Sequence, residues 1–417
     1  MVTSVSDGLL SVEQKEYQEL NLSKNLDWLK LRIGKFVSGG IYLIAGQPGI
    51  GKSTLGIQLA LDLGSTGEKT LYILTEQSKE ELSNRARQMS SDWPRELANK
   101  ALDNIKPGDL YDIETLPNLL GREILNSSGK YYGIKFIVID SVHGHGLSAG
   151  ATNKYKRLYE FCSQCKSNGI TVLLVAHVTK KGDIAGPKDM EHNVDCVIVM
   201  RKAMIYRPLF IPKNRYGPAI FKPIPLEMDK ITTALKVSTH SETVSSIANT
   251  FLGNGLAEAQ AAVSLPSYGT RGKITAPNLP RKEIEQLTNC ISQIPDMEIE
   301  DLDYTIHCRL PGEKRYKALL GLPVCMALIS SYIQRDIPAY HIYLGEIDLL
   351  RKVRKVPDEI ITTLWEQIEN GSIDTPKRIF LPKESAEIIT NEIDGITVIS
   401  CEKLDDAVFF TWPELKK

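Results

Sequence analysis

The 417-residue sequence lacks any long apolar run, and no stretch approaches the roughly 20 apolar residues that span a membrane. Its opening segment, MVTSVSDGLLSVEQKEYQEL, lacks the charged and then apolar parts of a secretory signal. Cysteine is sparse, with seven scattered residues and none before Cys162, which argues against a disulfide framework. These absences predict a cytoplasmic protein with no membrane partner.

The chain also lacks an excess of charge of either sign. Lys and Arg number 50 and Asp and Glu 51, for a formal net charge of -1. Nucleic-acid binding would therefore need a local basic patch or the charge-lined interior of a ring. The length exceeds one ordinary core and suggests two or three domains.

The pattern along the chain predicts an α/β protein. Residues 1–38 are predicted helical, with a capping box at Ser11–Gln14, and residues 39–245 alternate short apolar strands with amphipathic helices, as in a mostly parallel sheet. A polar linker is expected near residues 238–250, followed by a second α/β domain over 246–417. The strands expected in the first domain are 41–45, 70–76, 135–141, 170–178 and 195–201.

The segment GQPGIGKST follows the first of these strands and precedes an apolar helix. It matches the phosphate-binding loop G-x-x-x-x-G-K-[ST] in the context that the motif requires. Glycines let backbone N–H groups turn toward phosphate oxygens, a lysine reaches the β- and γ-phosphates, and a hydroxyl contacts Mg²⁺. The sequence thus predicts ATP and Mg²⁺ as ligands. The predicted cradle comprises Gly46, Gln47, Pro48, Gly49, Ile50, Gly51, Lys52, Ser53 and Thr54.

Three polar residues follow apolar strands and are expected at the same sheet edge. Asp140, after FIVID, is the candidate that holds Mg²⁺ together with Ser53. Glu76 is placed to orient or deprotonate the attacking water, although a solvated loop carboxylate would look the same. His177 could respond to the γ-phosphate, or it is a satisfied core histidine.

Two basic segments remain open on residue chemistry alone. Lys213 and Arg215 in IPKNRYGP are either cations inserted into a neighbour's nucleotide site or a solvated basic hairpin. The loop VTKKGDIAGPK either contacts DNA phosphates through Lys180, Lys181 and Lys188 or is simply solvated.

Two short motifs indicate packing or loop structure more than metal chemistry. Cys162 and Cys165 form a C-x-x-C inside an amphipathic helix with no second pair, which favours core packing over zinc. His143–Gly146, HGHG, is glycine-rich and favours a loop.

These motifs together resemble the bacterial RadA (Sms) family of RecA-like repair ATPases. AGQPGIGKSTL, LYILTEQS, the stretch ITVLLVAHVTKKGDIAGPKDMEHNVDCVI and KNRYG are each similar to a family segment. The resemblance implies that Glu76 is the catalytic glutamate, and that Lys213 and Arg215 act in trans or couple to DNA. EAQAAVSLPSYGTRGKITAPNLPRKEIEQL and YLGEIDLLRKVRKVP are similar to the family's Lon-protease-like C-terminal domain.

The sequence departs from the family in three ways. The four-cysteine zinc module is missing, so no zinc is expected, and an N-terminal helical segment stands in its place. The positions of a Lon-type Ser–Lys pair fall near Leu319 and Thr362, so an active protease is not expected.

The resemblance therefore implies a DNA-dependent ATPase that acts on recombination intermediates by branch migration. It would form a homo-oligomer, a hexameric ring, with ATP hydrolysed at subunit interfaces. Its expected partners are single-stranded or branched DNA and recombinase or helicase proteins. The alternative is an ATP-gated regulatory or defence protein that binds a protein partner and does not translocate on DNA.

Overall fold

The computed structural model divides the chain into two compact units. The first lies within Met1–Lys202 and Tyr206–Thr239, and the second within His240–Lys417. The predicted boundary between residues 245 and 246 stays a prediction. The residues that the structure describes are 18–108, 115–142, 151–178, 190–202, 206–238, 245–277, 279–310, 317–389 and 393–416.

A mostly parallel eight-stranded sheet forms the first unit, in the order β3-β2-β4-β5-β1-β6-β7-β8. Strands β1 to β6 run parallel to their neighbours. The strands are β1 Ile41–Gly46, β2 Lys69–Leu74, β3 Ile105–Gly108, β4 Ile134–Asp140, β5 Thr171–His177, β6 Cys196–Met200, β7 Leu209–Asn214 and β8 Ile220–Ile224. All five predicted strands are present, and the sequence patterns missed the short β3.

Helices connect these strands. They are α1 Asp27–Ile33, α2 Lys52–Thr66, α3 Lys79–Met89, α4 Arg95–Asp103, α5 Ala151–Ser167 and α6 Met190–Asn193, with a helical turn at Leu116–Asn118 and a π-helical turn at Leu119–Ile124. Every residue of β1 is buried, as expected for a strand in the middle of a covered parallel sheet. Leu55, Leu59 and Leu63 of α2 are fully buried, as their helical spacing predicts.

Beyond β6 the sheet changes direction. β7 pairs antiparallel with β6, and β8 antiparallel with β7. A small hairpin of β9 Leu226–Met228 and β10 Leu235–Val237 follows. Because β7 runs opposite to β6, its carboxyl end lies at the edge of the sheet where the parallel strands begin.

The N-terminal segment is only partly helical over its described residues 18–38. It contains a 3₁₀ turn, Lys24–Leu26, and the short helix α1. Leu20, Leu22 and Leu29 are buried as expected, but Leu31 is 80% exposed, because it lies on the outer face of α1. The predicted capping box at Ser11–Gln14 lies outside the described residues.

The second unit has its own seven-stranded sheet, in the order β13-β14-β12-β11-β15-β18-β19. The strands of this sheet are β11 Ser245–Phe251, β12 Leu256–Ser264, β13 Ile274–Thr275, β14 Asp303–Arg309, β15 His341–Tyr343, β18 Arg378–Pro382 and β19 Thr397–Cys401. The two short strands β16 Glu346–Ile347 and β17 Val353–Arg354 pair with each other outside it. Its helices are α7 Arg281–Ser292, α8 Gly321–Ile333, α9 Asp358–Glu369, α10 Lys383–Ala386 and α11 Leu404–Thr411.

The predicted polar linker was wrong over its last residues. Residues 245–250 form most of β11, which pairs with β12 along its whole length. The hydrophilic composition hid this strand, because its buried positions are filled by small or weakly polar side chains such as Ser246, Ala248 and Thr250. No described helix of either unit is long and apolar enough to cross a membrane.

Candidate active site

The segment Gly46–Lys52 connects β1 to α2 through a turn that depends on glycine. Gly49 and Gly51 have φ values of +74° and +109°, which side chains with a Cβ rarely adopt. A Cβ at Gly46 would lie 2.6 Å from the carbonyl oxygen of Met200. The loop thus has the backbone freedom that a phosphate cradle needs, and α2 begins directly behind it.

Lys52 is buried at the first turn of α2, with 5% of its surface exposed. Its Nζ donates to the carbonyl oxygen of Gln47 at 2.9 Å and lies 3.3 Å from His177 Nδ1. Burial lowers the pKa of Lys52, and the charges of Asp140 and Glu76 oppose this shift. The ammonium therefore lies inside the loop with acceptors that a phosphate can replace.

Asp140 and Ser53, the two predicted Mg²⁺ ligands, are brought together. Ser53 hydrogen-bonds Asp140, and Tyr72 donates its hydroxyl to Asp140 Oδ2 at 2.8 Å. Burial raises the pKa of Asp140 against these hydrogen bonds. A buried carboxylate beside a hydroxyl at the end of β4 fits a divalent cation, whose charge would offset the burial.

Glu76 and His177 face the same space. Ser141, joined to Asp140 by a cis peptide bond, donates its hydroxyl to Glu76 Oε1 at 2.6 Å. His177 Nε2 lies 3.5 Å from the same oxygen, so the imidazole stands between Glu76 and Lys52. Burial raises the pKa of Glu76, but the hydrogen bond from Ser141 and the neighbouring His177 and Lys52 lower it by more. The net pKa is below the ordinary value, so the carboxyl group is held ionised.

The strand register explains why these residues meet. Gly46 pairs with His177 across β1 and β5, and Asp140 pairs with both Val175 of β5 and Leu74 of β2. The carboxyl ends of the four strands β1, β2, β4 and β5 therefore lie side by side, where open α/β sheets bind ligands. His177 is 27% exposed in its side chain, so it is not a core histidine.

Arg85 is a candidate that the sequence patterns missed. It lies on α3, and its Nη2 donates to Thr54 Oγ1 at 2.9 Å while its Nη1 donates to Gln77 Oε1 at 3.1 Å. Its charge also lowers the pKa of Asp140. No motif marks it, because an arginine in a charged amphipathic helix looks like a solvated residue.

Lys213 and Arg215 lie at the opposite edge of the sheet from the cradle. Lys213 Nζ donates to the carbonyl oxygens of Glu191 and His192 at the end of α6, at 2.5 and 3.1 Å. Arg215 Nη1 pairs with Asp195 Oδ1 at 3.0 Å. β7 ends at Asn214, so Lys213 belongs to the strand and Arg215 lies just beyond it.

Asp195 is the buried anchor of this second cluster, with 1% exposed surface. It accepts from Lys166 Nζ at 2.7 Å and from the backbone N–H of Ile41 at 3.0 Å. Burial raises its pKa, but these hydrogen bonds lower it below the ordinary value. Met200 of β6 pairs with Gly46, the first residue of the cradle. Asp195 comes five residues before Met200, so it lies about 16 Å from the level of the cradle along the strand direction.

Several predicted residues are not placed. Lys180, Lys181 and Lys188 and the HGHG segment 143–146 lie outside the described residues. Cys162 and Cys165 are buried in α5, and burial raises the pKa of the Cys162 thiol to about 12. This placement fits core packing and not a metal site. Within the described part of the chain no three His, Cys, Asp or Glu side chains form a metal-binding group, and the expected absence of zinc stays a prediction.

Comparison with known proteins agrees with the motifs. The family model described as "ATPase: KaiC" matches residues 20–241. The DNA repair protein RadA of Chlamydia pneumoniae is 28% identical over 97% of this chain and 88% of its own length. RadA of Streptococcus pneumoniae is 25% identical over 98% of this chain and 93% of its own. The resemblance to the RadA family is thereby confirmed.

A solved RadB recombinase is also similar, with 17% identity and a TM-score of 0.40 over 50% of this chain and 96% of its own. The assignment of the RecA-like P-loop fold rests on the mostly parallel sheet and on the glycine-rich loop between β1 and α2.

Proposed function

The chain belongs to the KaiC family of ATPases, and on this premise we propose that it is a DNA-dependent ATPase of the RadA type that acts on recombination intermediates in the cytoplasm. The observation that carries the ATPase part is the continuous network of Lys52, His177, Glu76 and Ser141 beside the Ser53–Asp140 pair. The meeting of the Lys52 ammonium, the Ser53–Asp140 pair and the ionised Glu76 at one sheet edge supports the proposal that they bind phosphate, bind Mg²⁺ and activate water.

Each residue has a role that follows from its position. Lys52 and the cradle N–H groups bind the β- and γ-phosphates. Ser53 and Asp140 would hold Mg²⁺, which neutralises phosphate charge when bound. Glu76 is 45% exposed in its side chain, so it reaches water, and its low pKa keeps it ready to orient or accept a proton from that water. His177 contacts both Lys52 and Glu76 and is the proposed sensor of the γ-phosphate.

The location of Lys213 and Arg215 supports their action on a neighbouring subunit. Their cluster lies about 16 Å from the level of the chain's own cradle, which exceeds the reach of an arginine side chain. If Lys213 or Arg215 contacts a nucleotide, that nucleotide must therefore be bound by another copy of the chain, as it is for arginine fingers. ATP would then lie at subunit interfaces of a ring, for which we propose six subunits.

Release of Arg215 toward a neighbour leaves Asp195 paired. Lys166 and the Ile41 N–H still neutralise and solvate the carboxylate, so no unpaired buried charge results. Arg215 itself is 55% exposed in its side chain. The remaining partners of Asp195 and the exposure of Arg215 support a role in which Arg215 exchanges partners.

We propose that the second unit is a Lon-like scaffold without protease activity. Leu319 is buried in the 3₁₀ turn Lys317–Leu320, and the Thr362 hydroxyl donates to the carbonyl oxygen of Asp358 within its own helix. Neither position supplies a serine nucleophile or a lysine base.

The decisive experiment measures steady-state ATP hydrolysis with and without single-stranded DNA, with Lys52→Ala as the inactive control. We expect hydrolysis that depends on Lys52 and that rises with DNA, together with ring particles in electron micrographs of the ATP-bound protein. Branch migration is then tested on a four-way junction with a recombinase present.

The same measurement separates the alternative function. If ATP changes the oligomeric state but DNA changes neither rate nor assembly, the motor proposal fails and an ATP-gated regulatory protein is favoured. Pull-down from the native host then identifies the protein partner.

A further inference from the structure

Arg207, which lies between β6 and β7, contacts the outside of the phosphate-binding loop. Its Nη1 donates to the carbonyl oxygens of Gly49 at 3.1 Å and of Ile50 at 2.9 Å. From this geometry we propose that Arg207 is a positioning residue of the cradle. It fixes the orientation of the loop peptides and thereby raises the affinity of the loop for phosphate. No sequence motif marks it.

The peptide geometry gives the reason. In a trans peptide the C=O and the following N–H point in opposite directions. A guanidinium that fixes the Ile50 carbonyl on the outer side therefore turns the N–H of Gly51 toward the inner side, where phosphate binds. The N–H of Ile50 is already used, because it donates to the Gln47 carbonyl oxygen at 3.4 Å. The N–H of Gly51 is therefore the donor whose orientation depends most directly on Arg207.

The charge of Arg207 adds to this orientation. A cation that binds a carbonyl oxygen polarises the amide and makes its N–H a better donor, since chains of hydrogen bonds strengthen one another. The ion pairs among the described residues do not include Arg207, whose Nη1 instead contacts two carbonyl oxygens of the loop. Its field adds to that of Lys52 and of the start of α2.

The position of Arg207 is itself fixed. Its backbone N–H donates to the carbonyl oxygen of Leu226 in β9 at 2.7 Å. Across the hairpin, Leu235 exchanges two backbone hydrogen bonds with the Gln58 side chain of α2, at 2.8 and 3.0 Å. A Cβ at Gly51 would lie 3.5 Å from both Arg207 Nη1 and Leu235 Cδ1. The β9–β10 hairpin thus connects Arg207, which contacts the loop, to helix α2, which follows the loop.

The test compares Arg207→Gln and Arg207→Lys in the full chain. Because Arg207 acts on the nucleotide only through the loop, Arg207→Gln should bind ATP about tenfold more weakly than the wild type. The affinity for inorganic triphosphate, measured by competition with ATP, should fall by the same factor, because Arg207 acts on the phosphate cradle. Arg207→Lys, which keeps the charge, should recover part of the loss.

Kinetics distinguish positioning from general destabilisation. The cradle binds phosphates in both the ground and transition states, so KM should rise about tenfold while kcat changes less than about twofold. The matched control is Arg87→Gln, an exposed arginine of α3 that lines a groove with Asn99 and Leu102 of α4. We expect its affinity for ATP and triphosphate to match the wild type.

Two outcomes would overturn the inference. One is an Arg207→Gln protein whose ATP and triphosphate affinities stay within twofold of the wild type. The other is an equal loss in the Arg87→Gln control. The inference rests on ATP binding within the proposed function and not on DNA. Failure of the wild type to bind ATP would defeat the proposed function itself, a result visible before any variant is compared.

Discussion

Ser141 donates its hydroxyl to Glu76 Oε1 at 2.6 Å, and this contact joins the ends of β4 and β2 across the active edge of the sheet. The residue directly after the proposed metal-binding Asp140 thus orients the proposed catalytic carboxylate. The two halves of the site, the metal ligands and the water-activating group, are therefore mechanically connected through one dipeptide.

Ser141→Ala should shift the pH dependence of hydrolysis. Burial raises the pKa of Glu76 while Ser141 lowers it, so removal of the hydroxyl leaves a higher pKa. Because Glu76 acts ionised, the acid limb of the kcat–pH profile should move to higher pH, with less than about a tenfold loss above neutral pH. Ser91→Ala, whose exposed hydroxyl bonds the Gln88 carbonyl, is the control. An unmoved acid limb would contradict the role given to Ser141.

Glu76→Gln should separate nucleotide binding from hydrolysis. Loss of a positioned general base typically lowers kcat by about 10²- to 10⁴-fold. Affinity for ATP should stay within a few-fold, because Glu76 lies beside the cradle and not in it. Single-turnover hydrolysis and binding of a fluorescent ATP analogue check the two quantities. Glu80→Gln, an exposed carboxylate on α3, should behave as wild type. Equal activity of the two variants would remove Glu76 from the mechanism.

Mixed oligomers test whether Arg215 acts in trans. Arg215→Ala alone should lower kcat by at least about tenfold. It should still fold, because Asp195 keeps Lys166 and the Ile41 N–H as partners and is not left as an unpaired buried charge.

Mixed with inactive Lys52→Ala, the Arg215→Ala protein should regain activity. In a randomly mixed ring about a quarter of the interfaces combine an intact cradle with an intact Arg215. The exposed Lys222→Ala on β8 is a control that should keep full activity alone. An absence of recovery, with mixed assembly verified by mass, would place Arg215 in its own subunit's chemistry or in structure alone.

His341 predicts an acid-sensitive second unit. Burial, and next the charge of Arg378, lowers its pKa to about 4, and its Nδ1 lies 3.2 Å from the Tyr343 hydroxyl. The folded unit keeps the ring neutral while the unfolded chain protonates near pH 6.5. Stability from this group is therefore fully present above pH 6.5 and lost as pH falls toward 4.

Denaturant unfolding of the second unit at pH 7.5 and pH 5 measures this effect. In the wild type the unfolding midpoint should fall as pH is lowered, and in His341→Gln the fall should be smaller. His307→Gln, on β14, offers a control for the removal of an ordinary histidine. Identical pH dependence in the wild type and His341→Gln would show that other groups dominate.

The predictable part of the fold follows from chemistry local in the chain. The strand before the loop, the glycines, Lys52, Ser53 and the helix behind them form one continuous segment, so periodicity and motif defined them together. Asp140, Glu76 and His177 were predictable as residues after apolar strands, since parallel strands end at one edge. The β11 strand was not, because its alternating buried positions Ser246, Ala248 and Thr250 carry small or polar side chains, and the large buried Phe251 comes only at its last residue.

The sequence by itself determined the glycine-rich loop between β1 and α2, because its residues obey a fixed local spacing, and it predicted Asp140 at the end of an apolar strand. Only the tertiary structure decided which groups meet. It brought Arg85 of α3 to Thr54, and Arg207, from the segment between β6 and β7, to the loop carbonyls. It also paired Ser141 with Glu76 and put Arg215 on Asp195 at the far edge. The physical reason is that helix packing and strand pairing, including the antiparallel reversal of β7, join segments that are remote in the chain, and no single segment encodes them.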